Sequence, residues 1–175
     1  NHDSAGRLYF GASLLADTGL VIQTAVRSTP AAVLVKGDER AALWALPFLS
    51  QAKALWPETE REVAEAGGEE GVGWQEASGW QEALARRAIS HIAPKLDPEA
   101  LNVLVFHCFA AGGLVGDSEM MMVGAAERIP PTVFDCFDYV ALGHLHSCQS
   151  PAPHVWYSGA PLAYSLQDAE REKNA

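Results

Sequence analysis

The stretch FDYVALGHLHSCQ, residues 137–149, decides how this chain is read. A run of apolar residues stops at Gly143, and His144 and His146 follow with one residue between them. A short apolar run closed by a glycine reads as a buried strand. A second run, LNVLVFH at 101–107, ends the same way, in His107. It is nearly continuous in apolar residues, the pattern of a strand covered on both faces. Ligands of open α/β sheets gather at the carboxyl ends of strands. If these two strands are parallel neighbours, His107, His144 and His146 meet at one edge. Imidazole is a ligand for Zn, Fe, Mn, Ni and Cu. In a regular strand His144 and His146 share a face; in a loop they can splay toward two adjacent ions, and Gly143 lets the backbone turn just before them. A lone histidine after a strand is ordinarily structural, but here the coincidence has to happen twice. His91 lies on an expected helix and His154 follows Pro153 at a strand start. Neither has a neighbouring ligand candidate, and both are read as structural.

The rest of the chain supplies the layers around these strands. AGRLYFGASLLAD at 5–17 reads as a helix capped by Asp3 or Ser4 and ended by Gly19. LVIQTAVRS at 20–28 reads as a strand, and AAVLVKGDERAALWALPF at 31–48 as a hairpin around KGDER. SQAKALW at 50–56 suits a short helix. Residues 57–79 are rich in Gly and Glu and weakly periodic, and are expected to be a flexible surface connection. WQEALARRAISHIAPKL at 80–96 reads as an amphipathic helix that stops at Pro94 or soon after. CFAAGGLVGDSE is a Gly-rich loop, PPTVFDCF a short helix with Pro at its start, and HVWYSG a third strand. Helices alternating with buried strands predict an α/β layered domain over residues 1–175.

Composition bounds the functional classes loosely. The chain has 175 residues, enough for one domain with a sizeable core. Its net charge is -10, but residues 57–82 carry eight acids and one base. The remaining 14 acids face 11 bases, so bulk charge neither supports nor opposes a phosphate-bearing partner. No apolar run approaches the roughly 20 residues of a membrane span, and the opening NHDSAG lacks a basic, signal-like start. The three cysteines are not in CxxC spacing and read as free thiols, so a cytoplasmic location is expected. The absence of an initiator Met suggests an excerpt of a longer protein.

The first residues, Asn1-His2-Asp3-Ser4, add an amide oxygen, an imidazole and a carboxylate. With His107 in HCF…GG and with Gly143-His144-Leu145-His146, they resemble the calcineurin-like metallophosphoesterases. The motifs of that superfamily run D-x-H, GD, GNH(D/E), H and GHxH, and the last three are matched here. Longer stretches, NHDSAGRLYFGASLL, HCFAAGGLVGDSE, FDYVALGHLHSCQ and YSGAPLAYSLQDAEREK, are similar to the SbcD-type nuclease subunits of bacterial SbcCD complexes. The similarity covers essentially the whole chain, loosely through 57–82. The D-x-H and GD motifs would lie upstream of Asn1.

The resemblance implies a partial α/β/β/α fold, a layered β-sandwich flanked by helices. It implies two divalent ions, typically Mn. Carried over by motif, Asn1, His107 and His144 would ligate one ion and His146 the other. His2 would be the catalytic residue, stabilising charge or donating a proton to the leaving oxygen. Asp3 would support His2, or simply cap the helix that follows. The implied activity is metal-dependent DNA phosphodiester hydrolysis, as an exonuclease and endonuclease in break repair, recombination and hairpin cleavage. The implied partners are DNA ends, single-stranded or duplex, and hairpins, together with an SbcC-type ATPase. A second copy is also implied, bound through the helix near 6–17. The motifs also fit a small-molecule phosphodiesterase or phosphatase, or a non-catalytic scaffold for the ATPase. The ligand set of this segment is incomplete, so the segment alone is expected to be inactive.

Overall fold

The computed structural model describes residues 5–49, 79–114 and 128–163, and at residues 5, 6 and 13 the backbone alone. Among these residues the architecture is mixed α/β, with two α-helices and one six-stranded mixed sheet. Helix α1 is Ala5–Leu15 and runs into a 3-10 turn, Ala16–Thr18. Gly19 ends it at φ 82, donating its N–H to the carbonyl of Ala16, as its position in the sequence predicts. Asp3 and Ser4, the expected caps, lie outside the described residues.

Residues 20–28 do not form the expected strand. Gln23 folds back on its own segment, its Nε2 donating to the carbonyl of Ala25 at 2.6 Å. Such local side-chain bonds compete with a ladder. Leu20 and Val21 are exposed, and Val26 alone anchors the segment in the core. The expected hairpin follows. Strand β1, Ala32–Lys36, pairs antiparallel with β2, Glu39–Leu46. Lys36 faces Glu39 across a two-residue turn, and Gly37 takes φ 62 at the position where a type II′ turn needs glycine. The expected helix at 50–56 and the acidic connection lie outside the described residues, apart from Gly79.

Helix α2, Trp80–Ile92, buries Gln81, Ala85, Ala88, Ile89 and Ile92, a single stripe at helical spacing. A 3-10 turn containing Pro94 ends it. Strands β3, Leu101–His107, and β4, Tyr139–Gly143, then join the sheet, followed by β5, Gln149–Ala152, and β6, Val155–Tyr157. The spatial order is β1-β2-β3-β4-β6-β5, with β2, β3, β4 and β6 mutually parallel. Strand β5 was not anticipated because Pro151 sits inside it. As an edge strand it tolerates a residue without an N–H. The expected helix PPTVFDCF is a single 3-10 turn, Pro131–Phe134.

One face of the sheet is the core. Trp44, Leu46, Leu104, Phe106, Val140, Leu142, Val155 and Tyr157 pack in one buried cluster with the stripe of α2 and with Val133 and Phe134. The other face is not covered among the described residues. This corrects the expectation that β3 is buried on both faces. Its burial alternates, leaving Leu101 61 % and Val105 46 % exposed. Leu34, Tyr139 and Trp156 are exposed on the same face. The apolar character of that face is in the sequence, but its partner is not among these elements.

The amino ends of the central strands are tied by Asn102. Its Oδ1 accepts from Trp44 Nε1 at 3.2 Å and from the N–H of Asp97 at 3.3 Å. Its Nδ2 donates to the carbonyls of Asp97 and Ala100 at 2.8 and 3.0 Å. Its backbone N–H reaches Asp138 Oδ2 at 2.7 Å, and its carbonyl accepts from the N–H of Asp138 at 3.0 Å. Asn102→Asp keeps the size but turns an acceptor on two carbonyls. Ionising it there is costly, so its folded pKa lies above the ordinary carboxylate value near 3.9. The loss of stability is therefore smallest below about pH 4 and grows as pH rises through the folded pKa. Urea unfolding of the variant and the parent across pH 3.5–7 checks this, and a loss independent of pH contradicts it.

Candidate functional site

The site follows from one register. Strands β3 and β4 are parallel neighbours, and His107 pairs with Gly143 at their shared carboxyl end. His144 is the next residue. The rings of His107 and His144 therefore face each other edge to face, with centroids 5.3 Å apart. Two of the expected ligands are thus brought together as the parallel arrangement requires.

Gly143 makes the approach possible. A Cβ at this position would lie 3.0 Å from Nδ1 of His107, so the ring occupies the space that a side chain would need. His144 then takes φ 113, the only positive φ at a non-glycine among the described residues. L-residues rarely adopt it, and such conformations cost about 1–3 kcal/mol and cluster at functional sites. The strain belongs to the residue whose ring meets His107.

Leu145 shows why the two histidines of GHLH are separated by an apolar residue. It is 2 % exposed and joins the core cluster, staking the loop down between His144 and His146. Gly113 yields to it: a Cβ there would fall 2.7 Å from Leu145 Cδ1. The Gly-rich loop after His107 is therefore fitted to Leu145. Gln149 clamps the same loop, accepting from the N–H of Leu114 at 2.6 Å and donating to its carbonyl at 2.9 Å.

His146 is half-buried, with Nδ1 shielded from solvent. Its carbonyl accepts from the N–H of Ala160 at 3.0 Å. Gly159, at φ 78, lies so close that a Cβ would come within 2.9 Å of that carbonyl and 2.8 Å of the N–H of Cys148. The sequence leaves Ser158-Gly159 open between a phosphate contact and a structural turn. The geometry assigns Gly159 to backbone packing beneath His146.

Asn1, His2 and Asp3 lie outside the described residues. Among the described residues no group of three or more His, Cys, Asp or Glu side chains is arranged to hold a metal ion. His107 and His144 form a pair of donors of the right chemistry for a borderline cation. Cys108, next to His107, is not a third: its thiol is wholly buried, and burial pushes its pKa well above the ordinary value, so it stays protonated. His154, expected to lack a neighbouring ligand candidate, has the carboxylate of Asp135 beside it. His91 is on α2, and His154 lies between β5 and β6 with Nε2 3.9 Å from Asp135 Oδ1.

Sequence reasoning missed the aromatic walls. Phe48 and His107 make an edge-to-face contact at 6.2 Å, and Phe109 lies 6.3 Å from His144. The guanidinium of Arg128 sits 5.5 Å over the ring of Phe109, a cation–π contact. The signal for Phe48 was the parallel register. Leu46 pairs with Phe106, so the residue two beyond it reaches the level of the strand ends.

Replacing His144 separates its ring from its backbone. His144→Ala and His144→Gly both remove the imidazole, but only glycine relieves φ 113. We expect the glycine variant to be more stable than the alanine variant by about 1 kcal/mol, the usual scale for glycine at positive φ. Thermal or urea unfolding of the two variants checks it, and equal stabilities contradict the strain. No family model matches the chain, so the reading of this site rests on its own geometry and on the motifs it resembles.

Proposed function

We propose that this chain is part of a metal-dependent phosphodiesterase acting on DNA, of the SbcD type, whose catalytic edge is the carboxyl end of β3 and β4. The observation that carries the reading is the in-register pairing that sets His107 against His144. Gly143, the last residue of β4 and opposite His107, belongs with His144 and His146 to the GHxH motif on which the resemblance rests.

The donor chemistry fits Mn. His107 and His144 offer neutral nitrogen and Asn1 an amide oxygen, a mixed set better suited to Mn than the all-oxygen sites that Mg prefers. In this proposal Asn1, His107 and His144 hold one ion and His146 contributes to a second. When bound, such a pair supplies charge neutralisation for an anionic diester and activation of water. The remaining work falls to the chain. His2 stabilises negative charge at the leaving oxygen or gives it a proton. Asp3 holds His2 in orientation. Leu145 and Gly159 keep the GHLH loop in place, so that His144 and His146 do not drift when substrate arrives.

Two further features support the fold that the motifs imply. The apolar face of the sheet that no described element covers is where the second layer of a β-sandwich would pack. On α1 no described side chain is buried, and Leu8, Tyr9, Phe10, Leu14 and Leu15 are all exposed, Phe10 at 85 %. Such a surface suits the proposed contact with a second copy. An SbcC-type ATPase is the proposed partner, and the proposed location is the cytoplasm. Among the described residues no helix is long and apolar enough to cross a membrane.

The alternatives of a small-molecule phosphodiesterase and a non-catalytic scaffold are separated by substrate. The full-length protein with Mn is expected to cleave single-stranded DNA faster than cyclic nucleotides. His2→Ala should lower kcat by roughly 10²–10⁴-fold, the range for a general acid, while metal stoichiometry holds. His144→Ala should lose an ion. A preference for cyclic nucleotides favours the small-molecule reading, and no hydrolysis of any diester favours the scaffold. Loss of metal in the folded His2→Ala protein overturns the division of roles.

A further inference from the structure

Tyr157 is the last residue of β6 and is fully buried. Its ring belongs to the covered face of the sheet, whereas His107 stands at the carboxyl edge on the other parity of β3. Its hydroxyl nevertheless crosses to the segment that leaves β3. It accepts from the N–H of Ala110 at 2.6 Å and donates to the carbonyl of Cys108 at 2.9 Å. One hydroxyl thus satisfies a donor and an acceptor two residues apart. Those two groups lie where the β3–β4 ladder has ended. The chain there turns to bridge Ile129, through Phe109 O and the N–H of Ala111.

The segment held in this way carries the walls of the histidine pair. His107 precedes Cys108, and Phe109 lies between the two groups that Tyr157 binds. Their rings approach His144 at 5.3 and 6.3 Å. Strand β6 pairs with β4, Leu142 opposite Tyr157, so the tyrosine is anchored to the strand that leads into His144. It ties the backbone bearing His107 and Phe109 to the strand that leads into His144. A buried phenylalanine would fill the same volume without this tie.

We propose that Tyr157 is a positioning residue for the His107–His144 pair, setting the geometry in which the two imidazoles receive a divalent ion. The metal half of this statement rests on the function proposed above; the positioning half does not.

The test is Tyr157→Phe in the full-length protein, with Ile92→Val as a destabilised control. Ile92 is buried at the far end of α2, away from the Gln81 end, which contacts the Leu49 carbonyl beyond β2. Both variants are expected to lower Tm. Only Tyr157→Phe is expected to displace the His107 and His144 ring resonances in metal-free protein and to weaken Mn binding by roughly tenfold, the lower end for loss of a group that orients a ligand. Para-aminophenylalanine at position 157, which can donate to Cys108 and accept from Ala110, should restore both. Unchanged ring resonances in Tyr157→Phe overturn the proposal. So does a para-aminophenylalanine protein that folds only with displaced rings, or not at all, and this arm decides the matter if the phenylalanine variant does not fold. The resonances are read without metal, so a protein that binds no Mn sinks the metal reading and leaves the positioning result standing.

Discussion

The parallel pairing of β3 with β4 is the constraint on which the rest depends. His107 reaches His144 because His107 is opposite Gly143 and no other residue. A strand advances roughly 3.3 Å per residue and alternates faces at each step. A slip of one residue would turn His107 toward the covered face. A slip of two would move it roughly 7 Å along the strand, beyond the 5.3 Å that separates the rings. The geometry of the site is therefore a statement about register, and whatever holds the register holds the site.

Different devices hold its two ends. At the amino end Asn102 bonds Asp138 through both backbone groups, and its side chain is committed to Trp44, Asp97 and Ala100. A buried amide with this many partners is expensive to disturb, because each one left unpaired costs about 1–3 kcal/mol. At the carboxyl end the ladder has stopped, and side chains take over. Tyr157 holds the strand leaving β3, Leu145 stakes the loop leaving β4, and Gln149 ties the two loops together. Hydrophobic burial on one face supplies the stability. The polar contacts choose which arrangement of the strand ends that stability supports.

How much of this was legible in the sequence differs from feature to feature. The strand ends were legible because β3 and β4 are short apolar runs closed by residues of distinctive chemistry. The hairpin was legible because Gly37 marks its turn, and α2 because its apolar stripe has one period. Residues 20–28 were misread because Leu20, Val21 and Ile22 look like a strand, while Gln23 makes a local bond and no described strand pairs with the segment. Strand β5 was invisible because Pro151 argues against any strand except one at an edge, and edge position is a tertiary fact. The covered-on-both-faces reading of β3 came from composition alone. Composition shows that a face is apolar and not what lies on it. At the site, His107 and His144 were found by residue type, but Tyr157, Phe48 and Phe109 could not be. Their role comes from register and from a hydroxyl reaching across the sheet.

The two parities of the sheet divide the labour. Residues 104 and 106 of β3 and 140 and 142 of β4 point into the core, in one buried cluster with α2 and the 3-10 turn Pro131–Phe134, while Asn102 on the same parity is held by Trp44, Asp97 and Ala100. His107 and Gly143 belong to the other parity, with Val103, Val105 and Ala141. A donor on the covered parity would be walled off by Phe106 and Phe134, whose rings meet at 6.2 Å. A donor on the open parity is accessible but lacks packing to hold it. The structure resolves this at the strand end, where Gly143 makes room for one ring and His144 accepts a strained φ to present the other. Tyr157, from the covered side, then steadies the backbone of both. Strain at His144 is tolerable because Leu145, the next residue, is buried in the core and fixes the backbone there. A site of the same two histidines on a mobile loop would relax to an ordinary φ and lose the approach.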